Sequence, residues 1–77
     1  MSDIKNLLEY ILKGIIKENE DVIVEEKVEN NFTILEISAP TEKIGQIIGK
    51  QGKIIKAIRT IIGISFPQSH FNITIKE

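Results

Sequence analysis

The sequence predicts an α+β domain of order α-β-β-α-α-β, with one mixed three-stranded sheet and three helices on one of its faces. Three observations predict it. Apolar residues recur at helical spacing near the N-terminus and again between residues 44 and 62. Two short β-prone segments flank the pair Asn30-Asn31. A third segment, His70–Lys76, alternates apolar and polar residues after the helical region.

The elements follow in order. Ile4, Leu7, Leu8, Ile11, Leu12, Ile15 and Ile16 form one stripe of a first helix, with Ser2 as its expected N-cap and Asp3 in its first turn. The polar run Glu18-Asn19-Glu20-Asp21 is expected to end that helix near residues 18–21. A strand over 21–28 follows, with Val22, Val24 and Val28 on one face and Ile23, Glu25 and Lys27 on the other. Asn30-Asn31 suits a two-residue hairpin turn because asparagine tolerates positive φ. The mostly apolar segment 32–38 reads as the returning, central strand. Pro40 is placed in the first turn of a short second helix whose apolar stripe is Ile44, Ile47 and Ile48, and which Gly49 stops. A third helix is expected from Lys53 to about Ile62, stopped by Gly63 and kept from resuming by Pro67. In the last strand Phe71, Ile73 and Ile75 face inward. A two-helix crossover between neighbouring strands requires them to be parallel and the connection to be right-handed.

Composition narrows the function. Seventy-seven residues suffice for one domain, here residues 1–77. A domain of this size buries only roughly 60% of its unfolded surface, so the core must be efficient. Absence of cysteine excludes disulfides, thiolate metal sites and a cysteine nucleophile. Neither a secretory leader nor a membrane span is legible, so a soluble cytoplasmic protein is expected. The net charge of −1 hides a division. Residues 1–42 carry four lysines against ten carboxylates, whereas residues 43–77 carry six basic side chains against Glu77 alone, and no acid lies between Lys43 and Arg59.

The segment "IIGKQGK" at 47–53 raises the functional question. Alone, Gly-x-x-Gly is more often a plain helix–helix connector, one glycine ending a helix and the next relieving crowding. Nucleotide loops do not fit. A Walker loop ending at Gly52-Lys53 needs glycine at 47 and a hydroxyl residue at 54, and isoleucine occupies both. On a helical wheel of about 100° per residue, Ile54, Ile55, Ile58, Ile61 and Ile62 share one face. Lys53, Lys56, Arg59 and Thr60 share another. A helix N-terminus offers free N–H groups and partial positive charge, and glycines let a phosphate approach them. Other residues carry less chemistry: His70 and Tyr10 read as surface, and Glu25, Glu26 and Glu29 as hairpin surface with no basic or nucleophilic partner beside them.

The run "IIGKQGKIIKAI" (47–58) resembles the signature of KH domains, with branched aliphatics before the turn and again at Ile55 and Ile58. The element order is that of their type II form. A free-standing domain opening with "LLEYILKGII" resembles the KhpA group of small bacterial RNA-binding proteins across essentially the whole chain. The stretch "TIIGISFPQSHF" departs from that pattern and leaves the end of the third helix open. The resemblance implies that Gly49, Lys50, Gln51 and Gly52 hold the backbone of about four single-stranded nucleotides. Ile44, Ile47, Ile48 and Ile55 are then candidates for a groove floor, or else core. Lys43, Lys53, Lys56 and Arg59 are then a phosphate-facing basic surface, or else an ordinary solvated face.

What the resemblance implies is a non-enzymatic single-stranded RNA-binding protein, a post-transcriptional regulator or RNA chaperone without a cofactor. The resemblance also implies a homodimer or a second KH or other RNA-binding protein as partner. The alternative is a KH-fold interaction or dimerisation module with little RNA binding. Sheet-based RNA recognition through aromatics is disfavoured in a chain that is 5% aromatic, where only Phe32 and Phe71 are candidates.

Overall fold

A computed structural model describes residues 3–76. Its elements are α1 (Asp3–Ile15), β1 (Ile23–Glu29), β2 (Phe32–Ser38), α2 (Thr41–Ile48), a single 3-10 turn (Lys50–Gly52), α3 (Lys53–Ser65) and β3 (His70–Lys76). The α-β-β-α-α-β order is therefore as expected. The sheet order is β1-β2-β3, with β2 central. β1 pairs antiparallel with β2 in the register Glu29↔Phe32 to Ile23↔Ser38. β3 pairs parallel with β2 from Phe32↔His70 to Ser38↔Lys76. The hairpin turns at Asn30 (φ 52°) and Asn31 (φ 66°), two successive positive-φ residues as a two-residue loop requires.

The alternation of side chains across the strands decides where the core sits. Val24, Leu35, Ile37 and Ile73 point to one face and are buried there against Ile4, Leu8, Leu12 and Ile16 from the α1 segment. Ile44 and Ile47 of α2 join them, as do Ile55, Ile58 and Ile62 of α3. No buried side-chain polar atom among the described residues lacks a partner, so the core is an aliphatic one. Leu8, Leu35, Ile37, Ile47 and Ile62 are fully excluded from water. Each such side chain contributes about 1.5–3 kcal/mol by its burial.

Several boundaries differ from expectation, each for a local reason. α1 stops at Ile15, short of residues 18–21. The Asn19 side-chain amide donates to the Ile16 carbonyl (3.0 Å) and Val22 N–H donates to the Asn19 carbonyl (3.1 Å), so the backbone turns where a helix was expected. Ser2, the expected cap, lies outside the described residues. Pro40 is not in the first turn of α2 but caps it, with extended backbone (ψ 154°). α3 runs through Gly63 to Ser65: a Cβ at Gly63 would meet nothing, and Phe66 N–H closes the last turn on the Ile62 carbonyl at 2.9 Å. Burial of Ile62 and packing of Phe66 outweigh the roughly 1 kcal/mol that glycine costs inside a helix. Val28 faces the same side as Val24 but is 63% exposed, next to the hairpin turn. Ile61, placed with the buried stripe on the wheel, is exposed in α3.

Candidate nucleic-acid interface

The turn between α2 and α3 is built from four backbones of different hand. Gly49 N–H closes α2 on the Gly45 carbonyl at 2.9 Å, and Gly49 itself sits at φ 75°, ψ 175°, a conformation essentially confined to glycine. A Cβ there would lie 2.6 Å from Ile54 Cγ1, so the half-buried Ile54 side chain packs directly on the turn. Lys50 is not among the residues of positive φ, whereas Gln51 (φ 59°, ψ 23°) and Gly52 (φ 75°, ψ 17°) are left-handed. Gly52 N–H donates to the Gly49 carbonyl at 3.1 Å, and Lys53 N–H to the Lys50 carbonyl.

The N–H groups of Gly52 and Lys53 are engaged within the turn, and those of Lys50 and Gln51 have no partner among the described residues, so these two remain open to an anion. The following helix adds to this opening. α3 begins at Gly52 with no side-chain cap and no acid in its first turn, so the positive end of a 13-residue helix opens onto the turn. Lys50, Gln51, Lys53 and Lys56 are exposed, and the three lysines form no ion pair with any described residue. The local field is therefore positive and uncompensated.

The other residues singled out in the sequence lie elsewhere. Lys43 is engaged at the other end of α2: its ammonium donates to Asp21 Oδ1 at 2.6 Å and to the Glu18 carbonyl, and the bond from Lys43 lowers the Asp21 pKa. Arg59 Nη2 donates to the Ile73 carbonyl at 3.2 Å, so this guanidinium is anchored to β3 while remaining exposed. Ile44, Ile47 and Ile55 are buried in the core, whereas Ile48 is half-buried and, with Ile54, supplies the aliphatic surface beside the turn. Ile54 and the left-handed Gln51 were not foreseen. In the sequence Gln51 is marked only by standing between Gly49 and Gly52, and nothing marks Ile54, whose contact is with Gly49 five residues earlier. Among the described residues no group of three acids or histidines is arranged for a metal, and no helix is long and apolar enough to cross a membrane.

A three-helix α+β domain of this order, with Gly-x-x-Gly joining its second and third helices, has the type II KH fold. The chain belongs to the KhpA/KhpB family of KH domains, whose pattern it matches over residues 5–76; it is not a family of enzymes. Relatives include the RNA-binding protein KhpA of Thermotoga maritima, 42% identical over 72 residues that make up 94% of this chain and 95% of that protein. The RNA-binding protein KhpA of Clostridium perfringens is 45% identical over 58 residues, 75% of this chain and 77% of that one. That of Borreliella burgdorferi is 35% identical over 57 residues, 74% of this chain and 70% of that one. No solved structure matches the chain with significance.

Proposed function

We infer that this protein binds single-stranded RNA without catalysis, holding the sugar–phosphate backbone at Gly49, Lys50, Gln51 and Gly52. The observation that carries the reading is the N-terminus of α3, without a side-chain cap, behind a turn that begins and ends on glycine and is left-handed at Gln51 and Gly52, flanked by lysines that pair with no acid among the described residues. Lys53 and Lys56 extend the positive surface along α3. Arg59 borders it with one nitrogen engaged by β3. Ile48 and Ile54 offer an aliphatic surface for bases. Phosphate contacts of this kind position RNA without reading sequence, so modest affinity and low discrimination follow, as suits a cytoplasmic RNA chaperone or post-transcriptional regulator. The names of the relatives support RNA as the ligand.

A second reading, a partner-binding role, is favoured by one observation. Ile61 and Ile64 stand exposed on successive turns of α3, Ile64 at 75%. Such a stripe fits a second copy or another RNA-binding protein, on a surface separate from the turn.

The test is fluorescence anisotropy of a labelled octanucleotide RNA, single-stranded and as a duplex with its complement. Saturable binding of the single strand and at least tenfold weaker binding of the duplex are expected. Equal binding to both, or none at low salt, would leave only the partner role.

A further inference from the structure

β1 and β3 are the two edges of the sheet, and they are finished differently. On β3 the outward groups of Ile73 are occupied: its N–H donates to Asn72 Oδ1 at 3.0 Å and its carbonyl accepts from Arg59 Nη2 at 3.2 Å. β1 has no such closure. Glu29 and Phe32 close a two-residue hairpin and so exchange their hydrogen bonds, as do the alternate pairs Lys27↔Ile34 and Glu25↔Glu36. The N–H and carbonyl groups of Val24, Glu26 and Val28 therefore point away from the sheet. Among the described residues no hydrogen bond reaches them.

Behind this free edge lies a cleft. It has a volume of about 50 Å³ and is lined by Glu9, Leu12, Lys13, Asn19, Val22 and Val24, between α1 and the start of β1. An unpaired strand edge with a helix alongside is the geometry that accepts an extended peptide as an extra strand, the backbone supplying hydrogen bonds and the cleft taking alternate side chains. Charge says what kind of strand. Between residues 18 and 29 there are six carboxylates and one lysine. Asp21 is compensated by Lys43; the rest face solvent or the strand edge. A second copy of β1 would bring another strand of three carboxylates and one lysine to this edge, and RNA would bring phosphate to the same acids. A basic strand meets neither penalty.

We propose that the free edge of β1, with the α1–β1 cleft behind it, is a strand-addition site for an extended segment of a protein partner. That segment carries aliphatic residues on one face and lysine or arginine on the other. Residues pairing opposite Val24 share its face and enter the cleft, so they are aliphatic. Their neighbours meet the opposite face, where Glu25 and Glu29 flank the single Lys27, so a net basic set of side chains complements it. The site lies on a different element from the turn, so protein and RNA can be bound together.

The probe is a capped octapeptide alternating lysine and valine, with a second octapeptide alternating lysine and proline as a control of equal charge that cannot form a ladder. Amide hydrogen exchange of the full chain is followed by NMR. The lysine–valine peptide is expected to bind at least tenfold more tightly than the control. It should slow exchange at Val24, Glu26 and Val28 by tenfold or more, and leave the affinity for single-stranded RNA within twofold. Glu25→Lys with Glu29→Lys should weaken the peptide tenfold. Equal binding of both peptides, or protection confined to residues 49–56, overturns the proposal. So does protection of these three amides by RNA, or by concentrating the protein without peptide, since the edge then belongs to RNA or to a second copy. Failure of the unmodified protein to bind RNA counts against the proposed function and leaves this site untouched.

Discussion

Lys43 Nζ sits 2.6 Å from Asp21 Oδ1 and also donates to the Glu18 carbonyl, so one ammonium ties the first turn of α2 to the connection between α1 and β1. The far end of α2 carries the Gly49–Gly52 turn, and the tie therefore fixes the base of the element that presents it. The bond to Lys43 lowers the Asp21 pKa, and the bond to Asp21 raises that of Lys43.

The sign of the pH dependence follows. A depressed carboxylate stabilises the fold above its unfolded pKa, and that contribution is lost as pH falls through the lowered folded value. A raised lysine stabilises below its unfolded pKa and is lost as pH rises through the raised one. Melting temperatures of the wild type should exceed those of Asp21→Asn at neutral pH, with the gap closing in strong acid and shrinking in high salt, since the pair is solvent-exposed. The same cycle with Lys43→Met should show the two variants to be non-additive. A gap that persists unchanged in acid would mean that Asp21 acts by something other than its charge.

The two glycines of the turn should not be equivalent. Alanine at Gly49 meets both a positive φ and a clash, its Cβ lying only 2.6 Å from Ile54 Cγ1. Alanine at Gly52 meets positive φ alone, its nearest neighbour being the flexible end of Lys56 at 3.9 Å. Gly49→Ala should destabilise by roughly 2–3 kcal/mol and Gly52→Ala by roughly 1–2 kcal/mol, as read from urea midpoints. The reverse order would show that Ile54 yields readily and does not brace the turn.

What could be read from the sequence is what depends on neighbours along the chain. Asn30-Asn31 announces its turn because positive φ is a property of those two residues. The strand faces follow from strict alternation, and the parallel pairing of β2 with β3 from the two helices between them. The reading runs short where the deciding partner is distant. Lys43 looked like part of a basic face because nothing in 43–59 is acidic; Asp21, 22 residues earlier, claims it. Ile44, Ile47 and Ile55 could be groove or core until the closeness of α2 and α3 was known, and that closeness buries all three. Gly63 reads as a helix stop unless the burial of Ile62 and the packing of Phe66 are counted against it.

RNA binding should weaken with salt to a limited degree. If the turn and the lysines of α3 neutralise about 2–4 phosphates, the log–log slope for a single strand is about −1.4 to −2.8. Lys53→Glu with Lys56→Glu, both exposed and pairing with no acid among the described residues, should flatten that slope and weaken unrelated RNA sequences about equally. A loss confined to one sequence would mean that this face reads base edges.

The sharpest prediction concerns Lys50 and Gln51 replaced together by aspartate, with Gly49 and Gly52 kept. Both side chains are exposed, and aspartate is among the few residues that tolerate the left-handed backbone found at Gln51 (φ 59°). The stability change should be on the order of 1 kcal/mol or less, and the circular dichroism spectrum should stay that of the wild type. Two carboxylates would then stand beside the unpaired N–H groups of residues 50 and 51, competing for them and repelling an incoming phosphate. Affinity for single-stranded RNA should fall by roughly tenfold or more, each factor of ten being about 1.4 kcal/mol. Gln51→Gly alone should leave affinity nearly unchanged, because it preserves the backbone hand and the lysine. If the double aspartate variant folds and binds RNA as the wild type does, the turn only connects α2 to α3. The interaction surfaces on α3 and β1 would then carry the protein's function.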